Sequence, residues 1–178
     1  MGQKQEGGIQ ALQMILSRCG KKVRILFLCT GNYYRSRLAE ELFRYHAREA
    51  DFEIECDSAG LGKIPNPSNP GLIGIAALEY LQERGIRSLS LARHPKQWTP
   101  SDIQTADIIV CMNEREHKVM FESQARPFLN HRHIVYWSIP DVEEDPDLIG
   151  PGLIDGEVRG LLVKLRANGS RNDLFVSF

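Results

Sequence analysis

The chain has 178 residues, 42% of them hydrophobic, and a net charge of -1, which suits one globular domain around one core. So small a charge, with the basic residues scattered, gives no electrostatic case for a nucleic-acid or membrane-surface partner. The cysteines Cys19, Cys29, Cys56 and Cys111 fall in no CxxC or zinc spacing, and no apolar run approaches the roughly 20 residues of a membrane span. With no secretory signal and no disulfide framework, a cytoplasmic location is expected.

Residues 1–21 are predicted as an N-terminal extension, a polar leader followed by a short amphipathic helix with Ile9, Leu12, Ile15 and Leu16, ended by Gly20. Residues 23–28 are a nearly continuous apolar run, as in the centre of a parallel sheet. A helix is predicted from Ser36 to about residue 50, with Leu38, Leu42 and Tyr45 on one face. Residues 52–56 alternate and are expected to form a second strand; residues 57–69, rich in Gly, Pro, Asn and Ser, read as a loop. A second helix is expected over 70–84, stopped by Gly85, and a short strand over 89–92.

Thr99 is placed to cap a third helix, with Pro100 at its first position and Asp102 completing a capping box. Residues 107–112 read as a buried strand. Asn113 caps the helix after it, with Glu116 three residues on. Residues 134–137 form one more strand, and the final helix has its apolar face at Ile154, Val158, Leu161, Leu162 and Leu165. Residues 167–178 are a C-terminal tail with no predicted element. Strands alternating with helices imply an α/β fold with a parallel sheet and helices on both faces, and ligands at the carboxyl ends of the strands. Cys29 falls at such an end.

The most informative segment follows the first strand: Cys29-Thr30-Gly31-Asn32-Tyr33-Tyr34-Arg35-Ser36. A loop that runs from a strand into a helix N-terminus turns backbone N–H groups and the helix dipole toward an anion. A thiol in that setting, close to an arginine, ionises more easily and becomes a nucleophile. Arg35 can grip two oxygens of one phosphoryl group, which lysine cannot. Ser36 can donate its hydroxyl to the thiolate. Asn32 tolerates the left-handed turn such a loop needs, and its amide can tie the loop together. Gly31 lets backbone approach the anion. C-x5-R alone is a weak signal; the strand before it, the helix after it and the internal Gly-Asn and Arg-Ser pairs make it specific.

From Val23-Arg24-Ile25-Leu26-Phe27-Leu28-Cys29 through Arg35-Ser36-Arg37-Leu38-Ala39-Glu40, the chain resembles the low-molecular-weight protein tyrosine phosphatases. The resemblance continues at Asp57-Ser58-Ala59-Gly60, at residues 104–112 and at Ile139-Pro140-Asp141, covering about residues 22–166 as a catalytic domain. It implies a three-layer sandwich around a four-stranded parallel sheet, with no metal and no cofactor. It also implies Cys29 as the residue that becomes phosphorylated, Arg35 as the phosphate ligand, and Ser36 and Asn32 as loop supports. Thr30, Gly31, Asn32, Tyr33, Tyr34, Arg35 and Ser36 make up the substrate-binding loop. The partner so implied is a phosphorylated protein or a small phosphate ester.

The chemistry also needs a proton donor for the leaving group. Asp141 follows a strand end and Pro140, and so belongs to a loop facing Cys29. Asp145, followed by Pro146, matches the Asp-Pro dipeptide usual in the family; position relative to the strand favours Asp141. The chain departs from the family where a second loop cysteine is usual, having Tyr34, and where a proline follows the loop serine, having Arg37, read as extra positive charge near the mouth. At least one of Tyr33 and Tyr34 is expected to pack on the loop. No aromatic stands in residues 61–66 or 142–144 to wall a phosphotyrosine ring, so phosphoarginine or small esters stay open as substrates. An arsenate reductase-like thiol enzyme and a non-catalytic phosphate or oxyanion binder are the competing functions.

Other signals are read as structural. Glu114-x-x-His117 is half a di-iron pattern without its partner. His131 and His133 read as a surface pair, and Trp98 and Trp137 as packing residues. Gly152, Gly156 and Gly160 either permit close helix packing or loosen the helix start.

Overall fold

The structure, a computed structural model, describes residues 22–87, 92–129 and 133–172, with side chains of the last helix described to residue 167. The expected N-terminal helix, most of the expected strand at 89–92, and His131 lie outside the described residues.

Four strands, β1 (Arg24–Cys29), β2 (Glu55–Gly60), β3 (Ile108–Cys111) and β4 (His133–Tyr136), form one sheet in the order β2-β1-β3-β4, and every pairing is parallel. The helices are α1 (Arg35–Glu49), α2 (Ile75–Glu83), α3 (Pro100–Thr105), α4 (Glu114–Gln124) and α5 (Gly150–Asn172), with 3-10 turns at Arg126–Phe128 and Val142–Glu144. This is the expected sandwich. β1 is apolar on both faces because both are covered. Ile25 and Phe27 enter the core shared with α1, α2 and α5, while Leu26 and Leu28 enter the core shared with α3 and α4. The Phe27 ring lies 5.8 Å from that of Phe43 and 5.9 Å from that of Trp137, so truncating it to Ala removes about 3–5 kcal/mol of packing.

The final helix buries Ile154, Val158, Leu161, Leu162 and Leu165, as its periodicity predicts. It crosses residue 166 without a break and continues to Asn172. Thr99 accepts from the Asp102 N–H and Asp102 from the Thr99 N–H, completing the predicted capping box. Three expectations change. The second strand is Glu55–Gly60 rather than 52–56: its bonds follow the length of β1, and its polar Ser58 is satisfied by a buried network. α2 starts at Ile75 rather than residue 70, because the preceding backbone serves the Cys29 loop. There the Gly74 N–H donates to the Tyr33 carbonyl, and Tyr33 donates its hydroxyl to the Pro70 carbonyl. A Cβ on Gly152, Gly156 or Gly160 would meet nothing within 4 Å, so these glycines face open space rather than a packed partner. Among the described residues no helix is long and apolar enough to cross a membrane.

The strand order places a switch point beside β1: the chain leaves β1 for β2 on one side and reaches β3 on the other. Ligand crevices open at such a point, outside the carboxyl ends of the strands. The loops after β1, β3 and β4 all lie there.

Candidate active site

The loop from Cys29 to Tyr34 is held from outside. The Leu61 N–H donates to the Cys29 carbonyl, Gly62 N–H to Thr30, and Gly74 N–H to Tyr33, each at 2.9 Å. In a trans peptide the N–H points opposite to the preceding carbonyl. The N–H groups of Thr30, Gly31 and Tyr34 therefore turn away from these outer partners. Asn32 sits at φ 47, the left-handed turn foreseen for it, and a Cβ on Gly31 would strike the Asn69 amide. Ser36, in the first turn of α1, brings its Oγ to 3.0 Å from Cys29 Sγ.

Beneath the loop lies a buried polar network. Asn32 Nδ2 donates to Ser36 Oγ at 3.0 Å and to Ser58 Oγ at 2.8 Å. Its Oδ1 accepts from Arg93 Nη1 and from the Lys96 N–H, both at 3.0 Å. Ser58 donates to Glu40 at 2.6 Å, and Arg93 Nη2 reaches Glu40 at 2.7 Å. The Asn32 amide thus uses both donors and its acceptor, and the loop's shape is tied to α1, β2 and Arg93 together.

Arg35 is 2% exposed and lies between two carboxylates. Its Nη1 donates to Glu116 Oε2 at 2.7 Å and to the Ile139 carbonyl at 3.4 Å; its Nη2 donates to Asp141 Oδ2 at 2.6 Å and Glu116 Oε1 at 3.2 Å. Glu116 also accepts from the Thr30 hydroxyl. Behind it, fully buried His117 accepts the Asn113 N–H on Nδ1 at 2.9 Å and presents Nε2 to Thr30 Oγ1 at 3.2 Å. With Nδ1 accepting, the hydrogen-bond pattern assigns the ring proton to Nε2. Burial pushes the Glu116 carboxyl up, but hydrogen bonds from His117, Arg35 and Thr30 outweigh it and hold the group well below the usual carboxylate range. A cavity of about 460 Å³ opens here, lined by Asn113, Arg115, Glu116, Asp141, Glu143 and Glu144.

The two candidate acids part company. Asp141 stands at the carboxyl end of the sheet against Arg35. Asp145 is buried and accepts the Ile149 and Gly150 N–H groups at 3.0 and 2.6 Å, so it closes the start of α5. Arg37 is fully buried and donates to the Arg93 carbonyl at 3.3 Å, so the extra mouth charge expected of it is absent. Tyr34 is 6% exposed and part of the α1–α5 core, whereas Tyr33 is half-buried. Cys56 and Cys111 do not join the loop. Burial pushes the Cys56 thiol up to about 12, and Cys111 lies in the other core, on the α3–α4 side.

Glu116, His117, Glu40, Ser58 and Arg93 were not foreseen as site residues. Glu116 was read as a capping-box partner; instead Asn113 Oδ1 accepts from the Arg115 and Glu116 N–H groups, and the Glu116 side chain turns to Arg35. A carboxylate three residues beyond a cap, at the start of the helix that follows the strand beside β1, was the available signal.

A thiol paired with a hydroxyl, a buried guanidinium and a carboxylate gathered at one switch point are the parts of a cysteine-dependent phosphatase. Residues 24–142 match the family described as low molecular weight phosphotyrosine protein phosphatase. The chain is 35% identical over 130 residues to the low molecular weight protein-tyrosine-phosphatase YfkJ of Bacillus subtilis, covering 71% of this chain and 76% of that protein. It is 33% identical over 100 residues to the protein-arginine-phosphatase of the same organism, covering 56% of this chain and 61% of that one. The crystal structure of YfkJ superposes with a TM-score of 0.71 at 26% identity, covering 84% of this chain and 98% of that chain. The chain belongs to the low-molecular-weight protein tyrosine phosphatase family and is a phosphatase of that family.

Proposed function

We propose that this chain hydrolyses phosphomonoesters, with protein phosphotyrosine as the leading substrate, through a phosphocysteine intermediate on Cys29. Cys29 Sγ attacks phosphorus, the P–O bond to the leaving group breaks, and Asp141 delivers a proton to the departing oxygen. Water, losing its proton to Asp141, then attacks phosphorus; the S–P bond breaks and inorganic phosphate leaves. Arg35 and the loop amides hold the equatorial oxygens throughout. Ser36 donates to the sulfur as it departs as thiolate.

The observation that carries this reading is the meeting of Arg35 with Asp141 at 2.6 Å, one step from the Cys29–Ser36 pair. It joins a nucleophile, an anion ligand and an acid drawn from two loops. The capping of α5 by Asp145 supports Asp141 as the acid. Hydrolysis of an aryl phosphate, abolished by Cys29→Ser, is the expected result. Asp141→Asn should lower turnover by about 10²–10⁴-fold with phosphate affinity nearly intact. Wild-type inertness toward all phosphoesters would refute the reading, and the Asp141 loss appearing in Asp145→Asn would move the acid.

A second reading, phosphoarginine, is favoured by the mouth: Glu116, Asp141, Glu143 and Glu144 face one cavity with Arg115 as its single cation among the lining residues. A protonated guanidine leaving group complements that wall, and an acidic peptide does not. Comparing kcat/KM for phosphotyrosyl and phosphoarginyl peptides decides between them. Arsenate reduction needs a thiol relay; among the described cysteines, Cys56 packs on the α1 side of the sheet and Cys111 in the core on the α3–α4 side.

A further inference from the structure

We infer that Glu116 is a positioning residue for Arg35, gripping one edge of the guanidinium so that the other edge is presented to the phosphoryl group. The inference rests on the reading of the Cys29 loop as a phosphoryl seat. A guanidinium binds an oxyanion in two bidentate ways, through its terminal pair Nη1/Nη2 or through its side pair Nε/Nη2. Glu116 occupies the terminal pair, Oε2 on Nη1 at 2.7 Å and Oε1 on Nη2 at 3.2 Å. The Ile139 carbonyl adds a second acceptor to Nη1. The side pair is met by Asp141 through Nη2 alone.

An incoming phosphoryl group takes that side pair by displacing the Asp141 oxygen, which frees Asp141 for the leaving group. Glu116 keeps the plane of the guanidinium fixed while this exchange happens. It is built not to swing. Its carboxylate also accepts from Thr30 on the loop itself and lies 3.3 Å from His117 Nε2, and His117 is locked by the Asn113 N–H. One carboxylate therefore ties the second residue of the loop to its arginine, across the crevice between β1 and β3.

The rival is plain charge competition. A fixed anion beside a site for a dianion should weaken phosphate binding, and its removal should strengthen it. The two readings predict opposite signs. Inorganic phosphate binding is measured by calorimetry on the wild type, Glu116→Asp and Glu116→Gln, alongside kcat and KM for an aryl phosphate. If Glu116 positions Arg35, affinity falls in the order wild type, Asp, Gln, with Gln weaker by about tenfold or more, and kcat falls with it. Phosphate binding to Glu116→Gln at wild-type strength or tighter overturns the inference. Should Glu116→Gln fail to fold, Glu116→Asp decides: weaker phosphate binding supports positioning, and equal or tighter binding overturns it. If the wild type binds no phosphate at all, the loop reading fails and the inference falls with it; phosphate binding without turnover leaves the test intact.

Discussion

Helix α1 carries two charged clusters, six residues apart, that look alike and serve different ends. Near its start Glu40 joins Ser58, Arg93 and Asn32 under the Cys29 loop. Near its end His46 Nε2 lies 2.6 Å from Asp155 of α5, whose carboxylate also accepts from Tyr80 at 3.2 Å and from Arg159 at 3.0 and 3.2 Å. Both satisfy polar groups at helix contacts. The first is bonded to the turn of the Cys29 loop; the second is bonded to helix side chains alone. A buried ion cluster acquires a functional role through what it holds in place, not through its composition.

Removing Arg93 should separate the two most sharply. Arg93→Met leaves Glu40, 2% exposed, with Arg44 alone of its two cations, and takes one of the two donors from Asn32 Oδ1. A loss of about 2–3 kcal/mol in stability is expected, together with a fall in kcat/KM of about tenfold to a hundredfold as the loop shifts. Chemical denaturation and steady-state kinetics read the two effects; unchanged kinetics would erase the distinction drawn between the clusters.

Asp155→Asn should cost stability alone, on the order of 1–2 kcal/mol, with kcat unchanged. Burial raises the Asp155 carboxyl, but hydrogen bonds from Arg159 and His46 outweigh it and hold the group below its ordinary value. A carboxyl depressed in the folded state stabilises above its unfolded pKa and loses that contribution as pH falls through the folded value. The gap in Tm between wild type and Asp155→Asn should therefore be full at neutral pH and close below about pH 4. A gap that widens on acidification would contradict the assignment.

The smallest effect lies further along α5. Gly156 faces open space in the helix interior, so Gly156→Ala should stabilise by about 0.5–1 kcal/mol, raising Tm without touching activity.

The sequence made the Cys29 loop legible and hid the distant residues that hold it. Cys29 through Ser36 could be read because a strand, a turn residue and a helix start are local signals, and the chemistry of the loop follows from neighbours in the chain. The sheet was legible in the same way, from the apolar runs of β1 and β3. Arg93 and Glu116 could not be read, because each acquires its role from a partner brought up by strand pairing: Arg93 from Asn32, 61 residues away, and Glu116 from Arg35, 81 residues away. Glu116 also satisfied a local rule, three residues past a cap, and the local rule concealed the distant contact. Arg37 was misplaced for the same reason: a charged residue beside the loop reads as exposed until its turn of helix is seen to face inward. Ser58 looked like loop because its partners are polar groups of other elements.

Tyr34 has a consequence for which residues the Cys29 loop can tolerate beneath it. Its ring is wedged in the α1–α5 core, close enough to the start of α5 that a Cβ on Gly150 would sit 2.7 Å from its hydroxyl. Converting position 34 to cysteine would hollow out the ground on which the Cys29 loop stands. A smaller residue there cannot be accommodated by one substitution alone. It would need a larger neighbour elsewhere along α5 to fill the hole, since a Cβ on Gly150 would also sit 2.9 Å from the Asp145 carboxylate, so the packing itself preserves the departure.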